Sequence, residues 1–252
     1  MKTITKDLLK VNIYETRDEM GVAAAKDIKA KILELLETKE HINMIFAAAP
    51  SQNEVLAALA NDKEIPWNRV NAFHMDEYIG LPATAPQGFG NFLRDRIFGI
   101  VSFKSVNYID ITAVDAEAEC ERYGKLLTEN PTDIVVMGIG ENGHIAFNDP
   151  PVADFNDKKA VKPVALDAVC RQQQVNDGCF KCIDDVPTTA ITLTVPTLFS
   201  GNYLFCIVPA KTKANAVKAT VCGEIGEACP ATVLRKHKNA VLYLDGDSSE
   251  LL

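Results

Sequence analysis

A chain of 252 residues with 26 Lys and Arg against 34 Asp and Glu, a formal net charge of −8, lacks the basic excess that binding along a nucleic-acid backbone needs. Hydrophobic residues at 47% and charged residues at 24% are ordinary globular proportions and exclude a chain disordered throughout. No apolar run reaches the ~18 residues of a membrane span, and Met1 to Lys10 lacks the continuous apolar stretch of a secretory signal, so the expected location is the cytoplasm.

In chain order, Val22, Ala25, Ile28, Ile32, Leu35 and Leu36 fall three and four residues apart, which predicts a helix over 18–37 with one face on a core. Ile42 to Ala48 reads as a short buried strand, ended by Pro50-Ser51 and followed by a helix-prone segment from Glu54 to Ala60. The same strand, turn, helix grammar recurs with a strand over 69–75, helices over 91–98 and 115–127, and a strand over 133–137. It continues with strands over 190–195 and 203–208, a helix over 212–219 and a last strand over 240–244. Strands that are apolar throughout fit a sheet covered on both faces. No repeat or linker divides the chain, so the expectation is one α/β domain over 1–252, a doubly wound, mostly parallel sheet flanked by helices. Ligands of such sheets sit outside the carboxyl ends of the strands.

Seven cysteines, Cys120, Cys170, Cys179, Cys182, Cys206, Cys222 and Cys229, are an odd number spread over a long chain, unlike a disulfide scaffold. Cys179-Phe-Lys-Cys182 has the spacing of redox and zinc sites, but no second pair of ligands follows it. All seven are read as reduced packing residues, and no metal or cofactor is expected.

Three segments at strand exits could do chemistry. Gly138-Ile-Gly-Glu-Asn-Gly-His144, running on to Pro150, holds a histidine suited to proton exchange near neutral pH, with Asn142 and Asp149 placed to orient it or share its proton. A loop whose glycines serve turns and whose histidine caps a helix is the plainer alternative. Gly138-x-Gly140-x-x-Gly143 with Asp157 also satisfies the dinucleotide fingerprint, but no helix opens after it. Asp76-Glu77 could abstract a proton next to a carbonyl if burial lifts one pKa, or could be an acidic surface turn. His74 beside them reads as a core histidine. Ser51, before a helix, and Lys213, between a strand and a helix, could cradle a phosphate, although solvated lysines before helices are ordinary.

His74-Met-Asp-Glu-Tyr-Ile-Gly-Leu-Pro82 and the run from Gly138 to Pro150 resemble the two diagnostic motifs of the glucosamine-6-phosphate deaminase (isomerase) family, and weaker similarity through Val186 to Leu198 extends over nearly the whole chain. The resemblance implies a modified Rossmann-like sheet sandwich and an aldose–ketose isomerisation of a hexosamine 6-phosphate with loss of ammonia, without metal or redox cofactor. It implies Asp76 as the enolisation base between C2 and C1, and His144 as the ring-opening acid and base assisted by Asn142 and Asp149. Ser51 and Lys213 fall at phosphate-binding positions, and Arg171 is the nearest candidate for the family's phosphate-binding arginine.

Three positions depart from the family's pattern. Asp149 stands where Glu is usual, Asn142 where some members have Asp, and Ala47-Ala-Ala-Pro-Ser-Gln52 lacks the usual Gly-Ser/Thr-Pro. These changes keep the reaction class, on glucosamine 6-phosphate or a related sugar, and the shifted phosphate loop and shorter carboxylate would suit a paralogue for another hexosamine phosphate such as galactosamine 6-phosphate. No segment matches the allosteric site of regulated members. The competing readings are a 6-phosphogluconolactonase-like hydrolase and a non-catalytic sugar-phosphate-binding protein. The expected partner is a small sugar phosphate, with no nucleic acid and no membrane, and a homo-oligomer is open.

Overall fold

A computed structural model describes residues 1–252. From the N-terminus, β1 (Lys2–Lys6) and β2 (Leu9–Ile13) form a hairpin, followed by α1 (Arg17–Leu36) and β3 (Ile42–Phe46). Next come α2 (Asn53–Asn61), β4 (Val70–His74), β5 (Asp76–Tyr78), α3 (Phe89–Leu93) and β6 (Ser105–Asn107). The middle of the chain supplies α4 (Ala116–Glu129), β7 (Ile134–Met137), β8 (Val161–Ala165), α5 (Ala168–Asn176) and β9 (Thr189–Leu193). α6 (Val195–Phe199), β10 (Tyr203–Val208), α7 (Ala214–Cys222) and β11 (Ala240–Leu244) complete it.

Eight strands form one sheet in the order β1-β2-β11-β10-β7-β3-β4-β6, parallel at every pairing except β1 with β2. The uniformly apolar strands are explained by alternation between two cores. Ile42, Met44 and Phe46 enter one layer with Ile134, Val136, Phe205 and Ile207, while Ile45, Val135, Met137, Leu204 and Cys206 enter the other. The layers hold 35 and 32 buried residues, so neither face is left to solvent. α1 and α2 cover the first face, and α4 and α7 the second. Truncating a fully buried side chain such as Phe46 to alanine would cost about 3–5 kcal/mol.

The chain lays down β3, β4 and β6 in one direction, then returns to place β7 on the far side of β3 and proceeds outward through β10 and β11. The switch in winding therefore falls between β3 and β7, where the loops after the two strands diverge and leave a crevice.

A second sheet, in the order β5-β9-β8, is antiparallel. β4 ends at His74 and β5 begins at Asp76, so Met75 alone separates the two sheets. Asp76 pairs with Thr192 and Glu77 with Ile191, which places both acids in a buried strand instead of a surface turn. The predicted helix over 91–98 begins two residues earlier, at Phe89, and closes as a π-helical turn over Arg94–Phe98. No helix is long and apolar enough to cross a membrane.

Candidate active site

Four loops at the carboxyl ends of β3, β4, β7 and β10 converge on one cavity, whose walls include Ser51, Asp76, His144 and Lys213. Three polar segments singled out in the sequence, together with the lysine after β10, thus meet at the switch point.

His144 is positioned by its own loop. Its ring lies against Gly140, where a Cβ would come 2.1 Å from Cε1 and 2.2 Å from Nε2, so only glycine leaves room for the imidazole. Gly143 has φ of +83°, and a Cβ there would also meet Cys229 Sγ at 2.4 Å. Within this turn Asn142 Oδ1 accepts the backbone N–H of His144 at 3.1 Å and lies 2.8 Å from Nδ1. Asp149 Oδ1 lies 2.9 Å from the same ring nitrogen and accepts from Asn142 Nδ2 at 2.8 Å. Two acceptors facing Nδ1 place the proton there, which leaves Nε2 of the neutral ring with its lone pair free. Burial raises the Asp149 pKa, but hydrogen bonds from His144 and Asn142 outweigh it and hold the carboxyl below its usual range. Asp149 is therefore an anion, suited to stabilise an imidazolium.

Asp76 is 6% exposed, and burial followed by the charge of Glu77 pushes its carboxyl well above the ordinary carboxylate range. Burial also raises Glu77, to about 6, against the backbone N–H groups of Gly90, Phe89 and Tyr78 that favour its anion. Those three bonds, at 2.9, 3.0 and 2.9 Å, tie the start of α3 to β5 and fix the acidic pair. His74 is the satisfied core histidine: Nδ1–H donates to the Asp76 carbonyl at 2.9 Å, and Nε2 accepts from the Ile109 N–H at 2.9 Å. Burial lowers its pKa to about 4, so the ring is a neutral brace for the Asp76 backbone.

The same cavity is lined by a lysine and a serine. Lys213 is 5% exposed, and burial lowers its pKa while Asp177 and Glu141 partly restore it; its Nζ makes no hydrogen bond or ion pair with another side chain. Ser51 Oγ accepts from Gln52 Nε2 at 3.1 Å, and that amide also donates to the Ile207 carbonyl at 3.2 Å. Gly138 leaves room for this arrangement, since a Cβ there would lie 3.0 Å from Gln52 Nε2.

Arg171 is not at the cavity. Its Nη2 donates to the carbonyls of Ile183 at 2.6 Å and Val186 at 2.9 Å, anchoring α5 to the following turn, and this corrects its expected role as a phosphate ligand. Instead α5 and the residue that ends it bring Gln173, Gln174 and Asp177 to the cavity, and the Gln173 side-chain Oε1 accepts the Glu141 backbone N–H at 2.8 Å. Arg17, the first residue of α1, also lines the cavity and was missed in the sequence. The available signal was a cation at a helix N-terminus, where the macrodipole disfavours it.

His144 Nδ1, an Asp149 oxygen and Cys170 Sγ lie within 4.8 Å of one another, a donor set that a metal could use. Two of these atoms already pair with each other, and burial pushes the Cys170 thiol up, away from the thiolate that a metal needs. This set reads as the support of an imidazole.

A family model described as glucosamine-6-phosphate isomerases/6-phosphogluconolactonase matches residues 15–243. The chain belongs to this family. It is 33% identical over 225 residues to a glucosamine-6-phosphate deaminase of Listeria monocytogenes, covering 88% of this chain and 94% of that one. A glucosamine-6-phosphate deaminase of Bacillus cereus is 31% identical over 243 residues, covering 96% and 89%. Among solved structures, a monomeric glucosamine-6-phosphate deaminase superposes with a TM-score of 0.86 at 28% identity, over 96% of this chain and 99% of that one. The 6-phosphogluconolactonase of Trypanosoma brucei shares the fold, with a TM-score of 0.80 at 17% identity over the full length of both chains. The α/β architecture and the family expected from the sequence are thus borne out.

Proposed function

We propose that this family member is an enzyme that isomerises and deaminates a hexosamine 6-phosphate, giving a ketohexose 6-phosphate and ammonia. The observation that carries this reading is the placement of Asp76 and His144 on the walls of one cavity, each with its own supporting network. His144 Nε2 takes the proton of the anomeric hydroxyl and delivers it to the ring oxygen as the C1–O bond breaks, which opens the sugar to its aldehyde. Asp76 removes the proton on C2, now acidified by the C1 carbonyl, and returns it to C1, while a proton of the substrate ammonium passes to O1. The resulting C2 iminium adds water and expels ammonia, so one water is consumed for each ammonia released. A carboxylate of ordinary pKa is a feeble base toward carbon, and the raised pKa of Asp76 strengthens it. Lys213 and Ser51, lining the same cavity, would hold the phosphate.

Hydrolysis of a phosphogluconolactone would use the same anion site but requires no proton to be taken from carbon, and so gives Asp76 no such role. Ammonia release from glucosamine 6-phosphate and galactosamine 6-phosphate, measured side by side with hydrolysis of 6-phosphogluconolactone, tests the reading. Release from either amino sugar supports it, and hydrolysis of the lactone alone overturns it.

A further inference from the structure

We propose that Arg17, reaching the cavity from the first turn of α1, is the arginine that clamps the substrate phosphate together with Lys213 and Ser51. This rests on the reading above that the substrate is a sugar phosphate.

Three local features place Arg17 there. Gly21, one turn along the same helical face, lets α1 approach α2 so closely that a Cβ would sit 2.5 Å from Glu54 Cβ. That approach brings Arg17 Nε to 2.7 Å from Glu54 Oε1, an ion pair in contact but not aligned as a hydrogen bond. Nη2 donates to the carbonyl of Pro50, the residue before Ser51, so the guanidinium is fixed to the loop that carries the serine. Nη1 has no protein partner and remains to donate.

The energetics favour an anion in front of it. A cation in the first turn of a helix opposes the macrodipole, so this placement does not serve α1 itself. Lys213, buried, without a side-chain partner and lining the same cavity, adds a second positive charge. Two cations around one cavity repel each other until a dianion lies between them, and the arginine fork adds the directed hydrogen bonds that an ammonium lacks. The only arginine of the 171–180 stretch, Arg171, anchors two backbone carbonyls through Nη2 and is not among the residues lining the cavity.

Calorimetric binding to the full chain separates this clamp from the reaction. The probes are inorganic phosphate, glucosamine 6-phosphate and glucosamine. Arg17→Ala should weaken both phosphorylated probes at least about ten-fold, leave glucosamine nearly unchanged, and raise KM with little effect on kcat. Arg17→Lys should recover part of the loss, and Arg17→Gln, which keeps a donor for Pro50, replaces the alanine variant if that variant does not fold. Phosphate and sugar-phosphate affinities that do not respond to Arg17, or that fall no further than that of glucosamine, overturn the clamp. Arg17-dependent phosphate binding without ammonia release from any amino sugar would sink the reaction proposed above and leave the clamp standing.

Discussion

Asp149 Oδ1 lies 2.9 Å from His144 Nδ1 and accepts from Asn142 at the same time, so this carboxylate oxygen, together with Asn142 Oδ1, sets the tautomer and the tilt of the imidazole. The aspartate is buried and its side chain reaches the ring despite being one methylene shorter than glutamate. Asp149→Asn should therefore reduce kcat by about 10²-fold while leaving sugar-phosphate binding intact, measured as ammonia release and by calorimetry. The same group links to stability. Its folded pKa lies below its unfolded value, so its contribution is complete above about pH 4 and fades as pH falls through the folded value. Acid unfolding should accordingly be less steep in Asp149→Asn than in the wild type.

Asp76 has the opposite sign. Its folded pKa is raised, so the folded state is favoured by protonation, and that advantage is lost as pH rises through the folded value. Asp76→Asn should melt about 2–4 °C higher than the wild type at pH 8, with the gap closing toward pH 4. Thermal melts across that range check it, and a lower melting temperature of the variant at pH 8 would contradict it.

Glu77 contributes to the raised Asp76 pKa through its charge and anchors α3 through three backbone N–H donors. Glu77→Gln should move the acidic limb of the kcat/KM profile to lower pH, because Asp76 loses a neighbouring anion. The amide also turns its N–H₂ toward a backbone donor, so the variant should lose about 1–3 kcal/mol in denaturant unfolding.

Gly140 has no room for a side chain, because an added Cβ would overlap the His144 ring. Gly140→Ala should displace the imidazole and cost about 10²-fold in kcat, while far-ultraviolet dichroism stays native.

The central strands were legible in the sequence because Ile42–Phe46, Ile134–Met137 and Tyr203–Val208 are apolar on both faces. The first hairpin was not, since β1 is an edge strand whose Lys2, Thr3 and Thr5 face solvent and carry no hydrophobic alternation. The small sheet was hidden for a different reason. β5 is only three residues long and begins with two acids, and nothing local reveals that β9 will bury them. α5 escaped because the polar run Arg171-Gln-Gln-Gln174, although made of good helix formers, breaks any apolar periodicity; Asp167 caps it by accepting the Cys170 N–H at 2.7 Å. In the site, Asp76, His144, Ser51 and Lys213 stood at recognisable strand exits. Arg17 did not, because it reaches the cavity from a helix start far away in sequence and depends on the packing of Gly21 against α2.

The most direct test of the proton-transfer account is ammonia release by the wild type and Asp76→Asn at saturating hexosamine 6-phosphate, with binding of each protein measured in parallel. Stoichiometric ammonia and ketohexose 6-phosphate from the wild type, and a loss of at least about 10³-fold in Asp76→Asn with affinity retained, is the predicted result. Equal rates in the two proteins, or no ammonia from the wild type, would contradict it.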